Sequence, residues 1–454
     1  MKVLFASRYV DPNPIGGNKN VYLQMRALKD LFNIQVEALL WPKGDIWNGP
    51  VPAQSNIPKT QTFVQENLTY HLFNAPLSWN EMAGGNVIDN KSWGSAVAFG
   101  IEILKQIKPT IVHLQHRHGY WWILESAQKL GIPTIYTNHD WGMACLRTVL
   151  VQGNDKLCNG IVLPEKCGQC VYEGRKSVGR YNEMLVKSYF GRMLVEMAYK
   201  SPLHNKLKKN GVVKIPATQR AAINYKRAKN IIQKLDHCFT PSNFGATFFN
   251  QFGLDRTKIT VMPWYHPKVE PIKKCMDGQL FTITYIGRVT PEKGVHCILE
   301  ALEKLQDLPP IQLKIAGSNN SGYCQELQNK YPHNIGKHKV EWLNWVQVDT
   351  LLCSTDVTII PSQWIDNTPL TLVESIAYRV PVIATNVPPI SELVTDNKNG
   401  YLAEFGSINS LANAIHRAVD HQSEIRNGKL EFSSIPTLEE YMSCISNTYK
   451  LIIC

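Results

Sequence analysis

The sequence contains no run of 18 or more apolar residues, so no membrane-spanning helix is expected. It also has no short-period repeat and no long low-complexity tract, so neither a solenoid nor a disordered tail organises it. Charge is sparse: 19% of residues are charged against 44% hydrophobic, the balance of a globular soluble protein. An export signal is missing too. Met1–Ala6 is apolar but short, soon meets Arg8 and Asp11, and reads as a first buried strand. The cytoplasm is then the expected compartment. The eleven cysteines are expected as thiols or metal ligands, not as disulfides. A chain of 454 residues exceeds one ordinary core, and two domains are expected.

The net charge of +11 is concentrated. Between Val171 and Leu235, fifteen Lys and Arg stand against three Glu, so the rest of the chain is near neutral. Such a segment suits an anionic partner: nucleic acid, anionic lipid or a lipid-linked phosphate. Solvated helix faces are the plainer alternative.

Short apolar runs alternate with helical patterns in both halves. The runs are Val3–Ala6, Ile34–Leu40, Ile111–Leu114 and Pro133–Tyr136, then Phe281–Ile286, Ile311–Ala316, Val357–Ile360 and Val380–Ala384. This alternation predicts α/β architecture with two Rossmann-like, doubly wound parallel sheets. Val295, Ile298, Leu299, Leu302 and Leu305 form a helical stripe that belongs to a core. The Pro- and Lys-containing stretch 267–278 reads as a linker. The expected domains are 1–268, with an insertion over about 145–235, and 275–435. Residues 436–454 are expected to form a helix packing back on the first domain. Ligands in such folds bind at the carboxyl ends of the strands, in a cleft that the two domains are expected to face.

Two segments carry chemistry. In Tyr285–Gly294, a strand ends at Gly287, a loop carries Arg288 and Lys293, and a helix starts beyond Gly294. Glycine permits close approach to a phosphate, and two cations near a helix start can neutralise a diphosphate. Fixed cations stabilise a leaving diphosphate most in the transition state. In Pro361–Ser375, Pro369 suits a first helical turn, and Glu374 lies in a short apolar helix where an acid needs hydroxyl or cationic partners. Adjacent ribose hydroxyls would supply them. Each segment alone could be a solvated loop or an exposed helical face.

Together these segments resemble glycosyltransferase family 4, retaining enzymes of the GT-B fold. The shared features are a Gly-Arg loop with Lys five residues on, then Pro-Ser followed by two acids eight apart, here Asp366 and Glu374. Ile315–Gly317, Ser354–Val357, Pro381–Ala384 and Ser391–Val394 are similar as well. The resemblance implies a hexosyltransferase-type enzyme of polysaccharide or glycolipid assembly, acting on a nucleotide-sugar donor and a saccharide or lipid-linked acceptor. It implies that Arg288 and Lys293 hold the diphosphate, that Glu374 takes the ribose, and that Asp366 lies near the donor sugar. Gly287, Asn367, Thr368, Pro369 and Leu370 would line the donor site. Asp366 is shorter than the family's usual Glu. Trp342–Trp345 would receive the nucleobase, with Asn344 where the family often has Gly. Gly16 and Gly17 would let a loop approach the donor, and His139, beside Asp140, would serve the sugar. No catalytic metal is required, because Arg288 and Lys293 replace it. No carboxylate nucleophile is evident.

Cys145, Cys158, Cys167 and Cys170, the last two as Cys-Gly-Gln-Cys, suit a structural zinc, with an iron–sulfur cluster or free thiols as alternatives. The basic segment interleaves Tyr189, Phe190, Met193, Leu194 and Met197 with Lys187, Arg192 and Lys200, as in an interfacial helix docking on the inner face of an anionic membrane. Rival readings are a GT-B epimerase or phosphorylase and, more distantly, a zinc protein binding nucleic acid. A pyridoxal phosphorylase would need a cofactor lysine that has no evident place, and no nucleic-acid partner is expected.

Overall fold

The computed structural model describes residues 1–7, 18–40, 60–73, 90–115, 121–152, 156–173, 217–266, 280–317, 321–344 and 346–453. Gly16, Gly17, Trp345, the stretch 267–278 and most of the basic segment (174–216) lie outside these residues. The chain divides into two units. One comprises Met1–Thr240, Ala246–Thr260 and Ile445–Cys454; the other comprises Pro241–Gly245 and Val261–Cys444.

The first sheet contains β1 (Lys2–Ala6), β2 (Gln35–Leu40), β3 (Thr60–Gln65), β4 (Leu68–Phe73), β5 (Ile111–Leu114), β6 (Thr134–Thr137), β7 (His237–Thr240) and β8 (Ile259–Val261). Their order is β3-β4-β2-β1-β5-β6-β7-β8. β1 is parallel to both β2 and β5, whereas the β3–β4 pair is antiparallel. Val3, Leu4, Phe5 and Ala6 are all fully buried, the uniform burial expected of a central parallel strand.

The second sheet contains β9 (Phe281–Ile286), β10 (Ile311–Ala316), β11 (Asn334–Ile335), β12 (His338–Leu343), β13 (Val357–Ile360), β14 (Val382–Thr385) and β15 (Gly400–Ala403). The order β11-β12-β10-β9-β13-β14-β15 places β9 at the turning point. The chain runs outward from β9 through β10, then returns to β13 on the other side. Loops leaving two such adjacent strands diverge and leave a crevice for a ligand.

The stripe Val295, Ile298, Leu299, Leu302 and Leu305 is buried in this unit's core as expected, the first four on the helix Val295–Glu303 and Leu305 just beyond it. Beneath the sheet's other end, fully buried Asp356 accepts from Arg426 Nε at 2.8 Å and Nη2 at 2.9 Å. Asp356 also accepts from the Thr282 backbone N–H at 2.8 Å. This forked pair joins the start of β9 to the start of β13.

Candidate active site

The second sheet brings Arg288, Lys293 and Asp366 onto the two loops that leave its turning point. The β9 loop makes a 3-10 turn at Pro291–Lys293 and passes through Gly294 before the next helix. Gly294 has φ of 74°, and a Cβ there would lie 2.0 Å from the Pro361 carbonyl oxygen, so only glycine lets the two loops touch. The Gln363 N–H donates to the Glu292 carbonyl at 2.8 Å, and Thr371 Oγ1 donates to the Ile286 carbonyl at 3.1 Å. The two loops are therefore one mechanical piece.

Across this seam, Lys293 Nζ donates to Asp366 Oδ2 at 2.5 Å. The same ammonium lies over the Trp364 ring, 5.0 Å from its centroid. Asp366 is 7% exposed, so the pair is largely withdrawn from water and its attraction is stronger than on an open surface. Arg288 is exposed at the rim, with its carbonyl accepting from Tyr285 Oη at 2.6 Å. Lys293 and Asp366 thus come together, while Arg288 remains a separate, solvated cation of the same loop.

Several buried polar atoms of these loops have no hydrogen-bond partner: Thr290 Oγ1, Ser362 Oγ, Trp364 Nε1 and Thr368 Oγ1. Each such atom costs roughly 1–3 kcal/mol. Thr368 also has φ of 57°, a strained conformation for a β-branched residue, and its N–H donates to the Asp366 carbonyl at 3.0 Å. Strain and unmet polar demand gathered in one place are the marks of a segment shaped for a ligand rather than for stability. The helix Leu370–Ala377 follows; Pro369 sits just before it in extended conformation rather than within its first turn. Glu374 on this helix is half-buried, and burial pushes its carboxyl up to about 7.

In the first unit, His139 follows β6, and its ring Nε2 pairs with Gln115 Oε1 at 2.9 Å. Burial lowers its imidazole to about 4, outweighing the opposite pull of Asp140. Asp140 does not reach outward: its Oδ1 accepts from the Gly142 N–H at 2.6 Å and caps the turn Trp141–Met143.

Three of the expected regions have the following surroundings. First, Cys145, Cys158, Cys167 and Cys170 do face one pocket. Yet among the described residues no three His, Cys, Asp or Glu gather to hold a metal ion. The thiols come from a turn, a short bridge and the helix Pro164–Glu173, and stand on walls shared with Leu150, Val151 and Val162. Burial pushes Cys145 up, and Cys167 up to about 11. Second, Trp342 is tied inward. Its indole N–H donates to the Tyr331 carbonyl at 2.8 Å, and the ring packs on the core. Third, Arg227 of the basic segment is not on a solvated face: it is 8% exposed and its guanidinium lies 4.6 Å from the Trp93 ring centroid. Sequence reasoning missed Trp364 as a site residue, although an aromatic two residues before Asp366 is a legible signal for a cation's resting place.

Comparison with known proteins matches residues 272–429 to the family of glycosyl transferases group 1. A protein of 41.2 kDa encoded in the cps region of Klebsiella pneumoniae is 27% identical over 175 residues, covering 37% of this chain and 46% of that protein. The UDP-Gal:alpha-D-GlcNAc-diphosphoundecaprenol alpha-1,3-galactosyltransferase of Escherichia coli is 27% identical over 145 residues, covering 31% of this chain and 37% of the enzyme. The chain thus spans less than half the length of these curated relatives. The Anabaena protein HepE, solved in complex with UDP and glucose, superposes with a TM-score of 0.55 at 15% identity, covering 100% of this chain and 97% of that one. The two α/β sheets therefore have the fold of GT-B glycosyltransferases, and the segment 272–429, which carries Arg288, Lys293, Asp366 and Glu374, matches the group 1 family.

Proposed function

We propose that this protein is a glycosyltransferase of family 4 type. It moves a hexose from a nucleotide-sugar donor to a saccharide or lipid-linked acceptor, with retention of configuration, in polysaccharide or glycolipid assembly. The observation that carries this reading is the Lys293–Asp366 pair, on loops leaving the turning point of a sheet within the matched segment. A diphosphate entering there offers Lys293 a stronger anionic partner than Asp366. Released from the lysine, the Asp366 carboxylate is available to a sugar hydroxyl. As the glycosidic bond breaks, charge grows on the leaving diphosphate, and Lys293 with Arg288 stabilises it without a divalent cation. Gly287, Asn367, Thr368, Pro369 and Leu370 line this donor side, whereas Gly16 and Gly17, for which the family resemblance implies an approach to the donor, lie outside the described residues. His139 serves the sugar. The undecaprenol-linked acceptor in the name of the Escherichia coli relative supports a lipid-linked acceptor here.

Glu374 supplies a pH signature. Its carboxyl ordinarily titrates at 4.5 and is raised to about 7 by burial. The folded protein therefore holds this proton longer than the unfolded chain, and ionisation costs stability as pH rises from 4.5 through 7. Ribose hydroxyls pair best with the ionised form and offset that cost. Nucleoside diphosphate affinity accordingly rises several-fold between about pH 6 and 8, and Glu374→Gln flattens the rise. Calorimetric titration across that range checks it; a flat wild-type profile contradicts the assignment.

We place the enzyme at the inner face of an anionic membrane. Of its basic segment, Lys226, Lys229 and Lys234 are exposed among the described residues. No described helix is long and apolar enough to cross a membrane. Cosedimentation with liposomes rises with anionic lipid content and falls with salt; indifference to lipid charge removes this part of the proposal.

The decisive assay incubates the protein with labelled nucleotide sugars and lipid-diphosphate saccharide acceptors. The expected product is an acceptor-dependent glycoside with the donor's anomeric configuration. A new nucleotide sugar formed without acceptor identifies an epimerase instead.

A further inference from the structure

The first sheet also has a turning point. β1 lies between β2 and β5, and the chain leaves β5 at Gln115. Gln115 is fully buried, and its N–H donates to the Ala6 carbonyl at 2.9 Å, which fixes the residue at the carboxyl end of β5. A buried amide must satisfy both of its ends. On one side, Gln115 Oε1 meets His139 Nε2 at 2.9 Å. On the other, Gln115 Nε2 meets His113 Nε2 at 3.4 Å. His113 Nε2 also meets Thr137 Oγ1 at 2.7 Å, and its Nδ1 meets Tyr449 Oη at 2.6 Å. His113 and Tyr449 are fully buried, and their rings cross edge to face at 5.8 Å. Tyr449 belongs to the helix Leu438–Ile453, whose residues from Ile445 onward are part of this unit.

Hydrogen-bond direction runs through the set in one sense. A carbonyl oxygen only accepts, so His139 Nε2 must carry a proton and donate it to Gln115 Oε1. An amide nitrogen only donates, so His113 Nε2 must accept from Gln115. The remaining proton of His113 then sits on Nδ1 and is donated to Tyr449 Oη. Burial keeps both imidazoles neutral near pH 7, lowering His113 to about 3 and His139 to about 4. A neutral imidazole with a proton on Nε2 has its lone pair on Nδ1.

We propose that Gln115 is a positioning residue. Backed by His113, Thr137 and Tyr449, it holds His139 as the neutral Nε2–H tautomer and fixes its ring plane at the end of β6. This rests on the reading of His139 as a sugar-binding residue. It adds the part that neither the motif nor the loop showed: the C-terminal helix, through Tyr449, supports the histidine at the end of β6. Among the described residues, the charged and titratable groups acting on the His139 ring are Asp140 and His113, and on His113, His237.

The test pairs spectroscopy with kinetics. In ¹⁵N-histidine spectra of the full chain, with His139→Gln supplying the assignment, wild-type His139 shows the Nε2–H pattern and no titration between about pH 5 and 8. Gln115→Glu puts a carboxylate against Nε2–H and brings the His139 titration into that range. Gln115→Leu lowers kcat/KM for sugar transfer by about ten- to a hundredfold, the scale of a displaced contact group. Tyr449→Phe keeps the ring packing, removes only the hydroxyl, and gives a smaller loss in the same direction. Wild-type kcat/KM in both Gln115→Leu and Tyr449→Phe, or a His139 signal indifferent to Gln115→Glu, overturns the proposal. The spectra decide the matter even if no sugar transfer is found, in which case it is the enzymatic reading that fails.

Discussion

Lys293→Ala lowers turnover of a nucleotide-sugar donor by about a hundred- to a thousandfold, the usual effect of removing one fixed group that stabilises developing negative charge. Lys293 is the cation on which the β9 and β13 loops converge, held to Asp366 at 2.5 Å and seated over Trp364. Arg288 is solvated at the rim, so Arg288→Ala costs less, because an exposed charge is screened. Lys293→Ala also strands the Asp366 carboxylate, which is 7% exposed, and part of any loss could come from a disturbed loop. The double variant Lys293→Ala with Asp366→Asn separates the two effects. It relieves the stranded charge, and turnover nonetheless stays low. Steady-state release of nucleoside diphosphate provides the measurement; recovery of activity in the double variant would show that Lys293 acts only through loop structure.

Asp356→Ala destabilises the second unit by about 3–5 kcal/mol, the scale of breaking a buried ion pair from one side. Asp356 is wholly buried, and its loss removes the carboxylate acceptor of the Thr282 N–H and of Arg426, leaving the guanidinium only its bond to the Leu280 carbonyl among the described residues. For a unit of this size the unfolding midpoint falls by roughly 6–20 °C. Arg426→Ala produces a comparable fall, since it strands the carboxylate instead. Arg426 keeps part of its side chain in solvent, so the guanidinium stranded by Asp356→Ala can still hydrate, which the wholly buried carboxylate cannot. Calorimetry on the full chain follows the transition, and a shift below about 2 °C for Asp356→Ala would show that the fork contributes little. The aspartate belongs to the stretch Ser354–Val357 that resembles the family, yet it is architecture: it fixes where β13 starts, and hence where its loop emerges.

Much of this was legible in the residues. β5, β9, β10 and β13 run over Ile111–Leu114, Phe281–Ile286, Ile311–Ala316 and Val357–Ile360, the same ranges as the apolar runs, because central parallel strands are largely buried and are rich in β-branched and aliphatic residues even where Thr, Gln or Lys interrupts them. β3 and β4 were not legible. Their alternating residues and antiparallel pairing belong to a sheet edge, where one face is wet and the apolar signal halves. β11, of two residues, is too short to register as a run, and β15 opens on Gly400, which weakens its apolar signal. At the site, residue type and spacing pointed to Lys293 and Asp366, but not to their mutual contact, which depends on Gly294 allowing the loops to meet. The cysteine spacing suggested convergence, and Cys145, Cys158, Cys167 and Cys170 do line one pocket, but spacing along the chain does not say whether a turn, a bridge and a helix aim their thiols at a common point. The Gln115–His113–Tyr449 set was beyond sequence reasoning altogether, because Tyr449 lies 336 residues from His113 and the set carries no periodic pattern.

The central claim is that the loops after β9 and β13 bind the diphosphate of a nucleotide sugar. Thermal denaturation of the purified protein against a panel of nucleoside diphosphates and their sugar conjugates tests it most directly, since a ligand bound only by the folded state raises the midpoint with its concentration. The expected result is a saturable rise of several degrees for one base with its sugars, lost in Lys293→Ala and retained in Cys167→Ala. A panel in which no nucleotide shifts the wild-type midpoint, or in which Lys293→Ala responds as the wild type does, would contradict it.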